Sequence, residues 1–161
     1  MIYLGIDPGK AGGIARVVTR KGRASVDAWS MPDTETDLLE LLSEKVQWCD
    51  PGDGSRDVKE LVQRDEIFAL LEQAQAMPGQ GVKSMFTYGQ GYGALRAFLL
   101  AAKIPFETVR PAQWQTAMKC RSRGDKNRTK RKAQELFPKL KITHKTADAL
   151  LLAEYCRRTR R

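Results

Sequence analysis

The sequence predicts an α/β fold: a central mixed sheet of five strands, the first three an antiparallel meander, flanked by helices. Three observations predict it. The chain opens on Ile2, Leu4 and Ile6 alternating with Tyr3 and Gly5, and this run stops at Asp7-Pro8-Gly9, as a strand does when it ends in a tight turn. Two later short apolar runs, Ile67 to Leu71 and Phe106 to Arg110, are separated by one long apolar helical stretch. Further stretches of helical character lie between Leu38 and Val46 and between Ala147 and Ala153.

Each element follows from local chemistry. Ile14 to Thr19 and Ala24 to Met31 read as the second and third strands, joined by the polar turn Arg20-Lys-Gly-Arg23. Pro32 ends the meander, and Asp33 or Thr34 can cap a helix carrying Leu38, Leu39, Leu41, Leu42 and Val46. Cys49 to Ser55 reads as a loop. Ile67 to Leu71 reads as a strand ending at Glu72; the alternative is a helix continued from Val58 and Leu61, with Glu72 merely exposed. A loop containing Met77 to Gly81 follows, and the long helix is expected to begin inside Phe86 to Lys103, after Gly89-Gln-Gly-Tyr-Gly93, which lacks dinucleotide spacing. Pro111 suits the start of a short helix over Ala112 to Met118. Thr143 can cap the last helix, which is apolar from Ala147 to Ala153 except for Asp148; Glu154, six positions further on, points elsewhere and reads as a surface residue.

Composition narrows the function. At 161 residues the chain is read as one domain, 1–161, and its net charge of +9, from 28 Lys and Arg against 19 Asp and Glu, calls for a polyanionic partner, nucleic acid first. No apolar run approaches the roughly 18 residues of a membrane span. The amino terminus lacks the features of a signal peptide, so a cytoplasmic location, in a host cell if the source is a phage, is expected. Three scattered cysteines and one histidine are too few for a structural zinc site, so any metal must be hard and held mainly by carboxylates.

Three acids have comparable settings: Asp7 and Glu72 at strand ends, and Asp148 in a buried helix. Asp7-Pro8-Gly9 by itself could be no more than a strand cap. If the two strands are neighbours and the helix covers them, the carboxylates converge, and their repulsion is relieved by two magnesium ions. Such a pair, about 3.5–4 Å apart, activates water and steadies a leaving 3′ oxygen with no covalent nucleophile.

In their order, Gly5-Ile-Asp-Pro-Gly9, Leu71-Glu-Gln73, Gly89-Gln-Gly-Tyr-Gly93 and Ala147-Asp-Ala-Leu150 resemble the RuvC-type Holliday junction resolvases of the ribonuclease H-like superfamily, most nearly the shorter RuvC-like proteins of bacteriophages and prophages. The resemblance covers nearly the whole chain. It implies a crossover junction endodeoxyribonuclease with Asp7, Glu72 and Asp148 as catalytic metal ligands, two Mg2+ ions (or Mn2+), no organic cofactor, and a homodimer acting on branched DNA. In that family an acid or histidine commonly stands about one turn before the last aspartate. Here Lys145 is three before and His144 four before, so His144 is the candidate fourth ligand or proton carrier, with three carboxylates and a phosphate-binding Lys145 as the alternative. The helix from Ala94 to Ala102 is the expected dimer contact, its apolar surface being too extensive for one sheet contact.

The run Lys119, Arg121, Arg123, Lys126, Arg128, Lys130, Arg131 and Lys132, opposed only by Asp125, is by itself either a solvated face or mobile loop, or a set of phosphate contacts. The resemblance favours contact with the junction backbone. It also places Phe86 and Tyr88 in a loop beyond Glu72, where they could stack on unpaired bases or pack in the core. Alternatives to the resolvase are a ribonuclease of the same fold acting on structured RNA, a non-catalytic junction-binding protein, and, less well matched to length and charge, a nucleotide-phosphate binder.

Overall fold

A computed structural model describes residues 1–20, 23–45, 48–49, 60–61, 66–73, 75, 79–121 and 125–160. In chain order the elements are β1 (Ile2–Asp7), β2 (Gly13–Arg20), β3 (Arg23–Ser30), α1 (Glu35–Glu40) with a π-helical turn at Leu41–Lys45, β4 (Trp48–Cys49), β5 (Glu60–Leu61), β6 (Ile67–Glu72), α2 (Val82–Ala101), β7 (Phe106–Val109), α3 (Pro111–Ala117), α4 (Lys126–Leu136) and α5 (His144–Thr159). The main sheet has the order β3-β2-β1-β6-β7, and β4 and β5 form a separate antiparallel ribbon. The first three strands are antiparallel, whereas β6 joins β1 and β7 joins β6 in parallel. The expected five-stranded mixed sheet is therefore present, and Ile67–Glu72 is a strand rather than the continuation of a helix.

Alternation along the central strand divides the core into two layers. Ile2, Leu4 and Ile6 join Ile67, Ala69 and Leu71 on one face, under Leu38 of α1 and under Leu95 and Leu99 of α2. On the other face, Tyr3 and Leu70 pack with Trp114 of α3, Ala133 of α4 and the apolar side of α5. Buried on both faces, β1 reads as a continuous apolar run broken only by Gly5.

Gly5 lets α5 lie directly on β1. A Cβ there would meet the Ala149 carbonyl oxygen and the Ala153 nitrogen, with Leu152 Cβ only 2.7 Å away. The first turn of α5 is fixed by the Thr143 N–H, which donates to the Thr146 hydroxyl at 3.2 Å.

Two expectations, the start of the long helix and the setting of Glu154, are corrected, and two open readings, the basic run and the dimer helix, are narrowed. The long helix begins at Val82, not after the glycines, so Phe86 and Tyr88 are helical rather than in a loop. A helical glycine costs only about 1 kcal/mol against alanine, and the anchoring of Leu95 and Leu99 in the core outweighs it. The basic run is not a loop from Lys126 onward but α4, whose start is capped by Asp125 accepting from the Asn127 N–H at 2.9 Å. Leu95 and Leu99 of the expected dimer helix lie in the chain's own core, leaving Leu100 as the large exposed apolar residue in that stretch. Glu154 is only 6% exposed. Arg157 holds it at both oxygens, each at 2.7 Å, and Arg158 adds a third bond at 2.8 Å; burial alone would raise its pKa, but these guanidinium bonds lower it overall.

Val46, residues 50–59 and residues 76–78 lie outside the described residues, so most of the Cys49 to Ser55 loop and part of the loop before α2 do too. Among the described residues, no helix is long and apolar enough to cross a membrane.

The Gly5 contact yields a stability prediction. Gly5→Ala must push the backbone of α5 off β1, and the expected cost is about 3 kcal/mol, read as a lower urea midpoint with an unchanged slope.

Candidate functional site

The sheet's strand order brings Asp7 and Glu72 together. Ile6 pairs with Leu71 in the parallel register, so the next residue on each strand, Asp7 and Glu72, leaves the same edge of the sheet side by side. Both belong to the alternation that faces α5, and Asp148 enters from α5 one position before Ala149, which lies over Gly5.

Each carboxylate has its own support. The Gly9 N–H donates to Asp7 Oδ1 at 3.1 Å. Behind it, Gly12 comes so close that a Cβ would stand 2.5 Å from Asp7 Cγ and 2.7 Å from Oδ2. The turn is thus closed tightly around Asp7, which is why glycine occupies position 12. Glu72 Oε2 accepts a 2.7 Å hydrogen bond from the indole Nε1–H of Trp114. Asp148 is half-buried, with its Oδ1 atom inside the protein.

The three acids share one electrostatic field. Burial first, then the charge of Asp7 and less strongly that of Asp148, push the Glu72 carboxyl up to about 7 against the opposing Trp114 bond. The Tyr88 phenol is pushed up to about 12 by burial and then by Asp7 and Glu72, so it stays a protonated donor beside the acids. Buried Cys120 is raised to about 11, first by burial and then by Asp148, with Arg128 and Lys132 acting the other way. Cys120 thus lies in the field of both Asp148 and the basic helix α4.

The other expected residues divide. His144 is exposed on the first turn of α5, one turn ahead of Asp148. Lys145 is exposed as well, and its carbonyl oxygen stands 2.7 Å from where a Gly13 Cβ would be. Lys119, Arg121, Arg128 and Arg131 are exposed, while Lys130 and Lys132 are partly covered. Arg131 pairs with Asp125 at 3.6 Å and Lys132 with Glu135 at 2.8 Å, both on the surface. Arg123 and the Lys126 side chain lie outside the described residues. Phe86 is 66% exposed, and Tyr88 lines a groove of ≈ 1000 Å³ that runs from Pro8 and Lys10 between α1 and α2.

Among the described residues, no group of three or more His, Cys, Asp or Glu side chains stands as a set that could hold a metal ion. The donor chemistry nevertheless suits hard cations. Three carboxylates arrive from separate rigid elements, Asp7 and Glu72 are each pinned at one oxygen, and their mutual repulsion is what a cation relieves. Paired ions share such ligands instead of gathering three around one point.

Sequence reasoning missed Trp114 and misplaced Tyr88. Trp114 was legible as a residue of a short helix, but only the adjacency of β6 and β7, which pairs Glu72 with Val109, brings that helix to the acid.

The Glu72 shift has a consequence with a definite sign. A folded-state pKa near 7, against an ordinary 4.5, means that the folded protein binds this proton more tightly than the unfolded chain. Stability on this account is fully present below about pH 4.5 and is lost as pH rises to 7. Glu72→Gln removes the penalty. Without metal the variant is expected to exceed the parent by about 2 kcal/mol at pH 8, after allowance for partial exposure, and by little at pH 4.5. Urea titrations in chelator at the two pH values check this.

No family model and no curated protein matches this chain. Among solved structures it is similar to Thermus thermophilus RuvC, at a TM-score of 0.59 and 18% identity over 99% of this chain and 96% of that one. It is also similar to T. thermophilus RuvC in complex with Holliday junction substrate, at a TM-score of 0.57 and 16% identity over the same 99% and 96%. The fold of this chain is that of RuvC, a ribonuclease H-like mixed sheet flanked by helices.

Proposed function

We propose that this chain is a metal-dependent, structure-selective endonuclease, one nuclease domain over 1–161, that resolves four-way DNA junctions by paired symmetric nicks. What supports this reading is the placement of Asp7 beside Glu72 at the carboxyl ends of β1 and β6, with the charge of Asp148 reaching Glu72, in a fold shared with a protein whose structure holds a Holliday junction substrate. Asp7, Glu72 and Asp148 would hold two Mg2+ ions, with Mn2+ able to replace them and His144 as a fourth ligand or proton carrier. Ions bound there supply the Lewis acidity that hydrolysis of a phosphodiester needs.

The chain's own groups do the rest. The turn at Gly9 and Gly12 holds the Asp7 carboxylate rigidly. Tyr88 offers a protonated hydroxyl beside the acids. Lys119, Arg121, Arg123, Lys126, Arg128, Lys130, Arg131 and Lys132 contact the DNA backbone, which positions the strand without reading its sequence. A homodimer would match the two-fold symmetry of a junction. The exposed Val82, Phe86 and Leu100 of α2 are its contact, extending the expected Ala94 to Ala102 stretch toward the start of the helix.

Mapping of cuts on a synthetic immobile junction, with Mg2+ and with chelator, tests the reading against a fork, a duplex and a folded RNA. Symmetric Mg2+-dependent cuts near the crossover are expected; cleavage of the RNA alone would reassign the substrate, and tight binding with no cleavage would make the protein architectural. Asp7→Asn, Glu72→Gln and Asp148→Asn should each abolish cleavage and leave junction binding intact, and full nicking by any one of them would overturn the mechanism.

Phosphate contact by the basic tract predicts a salt effect. Arg121→Gln and Arg128→Gln should each lower the slope of log affinity against log salt by about 1, measured by fluorescence anisotropy on a labelled junction. An unchanged slope would remove that residue from the interface.

A further inference from the structure

We propose that Trp114 is a positioning residue for Glu72, its indole N–H fixing one carboxylate oxygen so that the other is presented to a cation shared with Asp7 and Asp148. This rests on the metal-centre reading above and deepens it.

Trp114 is fully buried, at 0% exposure, among Met118, Cys120 and Ala133. Its ring is therefore held by the core and does not swing with the site. Helix α3 starts at Pro111, two residues after Val109, and Val109 is the β7 partner of Glu72, so the indole reaches the acid from a rigid neighbouring element. The 2.7 Å bond runs from a donor with no lone pair to offer. Trp114 accordingly cannot compete for the ion. It can only orient the acid and favour its charged form, as donors behind metal-bound carboxylates do. A purely structural tryptophan would also seek some acceptor, and metal binding separates the two roles.

Nuclear magnetic resonance of the 15N-labelled chain reads this directly. Trp29→Phe and Trp48→Phe assign the Trp114 indole signal by elimination. That signal is expected to move in Glu72→Gln, and to move during a MgCl2 titration with the same midpoint as the amide of Gly9, which bonds Asp7. Trp114→Phe, with folding checked by circular dichroism, should raise the MgCl2 midpoint at Gly9 by about 10- to 100-fold, and excess Mg2+ should restore cleavage.

A Gly9 amide that titrates while the Trp114 indole moves neither with MgCl2 nor in Glu72→Gln overturns the inference. So does a folded Trp114→Phe that titrates with the parent midpoint. If MgCl2 moves neither signal, the metal-centre reading itself falls, and the inference with it. Should Trp114→Phe not fold, the indole titration of the parent chain and of Glu72→Gln still decides the matter.

Discussion

Helix α5 meets β1 backbone to backbone at Gly5, where a side chain would run into the Ala149 carbonyl and the Ala153 nitrogen. That contact fixes how far the helix stands from the sheet, and one residue before Ala149 is Asp148. Two residues beyond Gly5, on the same face of the strand, is Asp7. The separation of the two aspartates is thus set by a close approach only glycine permits, and β6 adds Glu72 through its parallel register with the same strand. A central strand and one helix crossing it define the site; the flanking elements make that geometry stiff.

Stiffness is needed because the arrangement is electrostatically unfavourable alone. Glu72 loses solvent and faces two aspartates, and only Trp114 is on the side of its charge. A fold selected for stability alone would not gather these groups, and such local conflict is characteristic of functional sites. The positive charge of α4 reaches the same neighbourhood as Asp148, since Arg128 and Lys132 oppose it at the Cys120 thiol. The same cations are the ones proposed to hold a polyanionic substrate.

Much of this was legible in the sequence, and the parts that were not share a cause. Asp7 and Glu72 declare themselves because an apolar alternation stops at an acid, and Asp148 because a lone carboxylate interrupts a buried helix. The Trp114 bond depends on β7 lying beside β6, a nonlocal fact that no window of residues contains. Glu154 was misread for a different reason: its distance from Asp148 drew attention, whereas Arg157 and Arg158, three and four residues on, are the helical neighbours that hold it. The start of α2 was misplaced because three glycines outweighed the helix-compatible run from Val82 to Tyr88. In the folded chain, Leu95 and Leu99 anchor the helix and the glycines are carried along.

The corrected start of α2 changes what Phe86 and Tyr88 can do together. Residues two apart on a helix point about 200° apart, so the two rings cannot form one stacking platform. Tyr88 turns into the groove and the field of Asp7 and Glu72, while Phe86 faces solvent. Phe86 instead shares its face with Val82, one turn before, and with Gly89, Gly93 and Leu100 at successive spacings of three, four and seven. No Cβ contact would arise at Gly89 or Gly93 within 4 Å, so that face is open at the glycines, with exposed Arg96 standing on it between Gly93 and Leu100. Exposed apolar residues at both ends of an open, small-residue stripe suit the close approach of another helix better than the stacking of a base. The helix thereby separates two tasks by rotation: Tyr88 on the side of the acids, and Phe86 on the side proposed for the second copy of the chain.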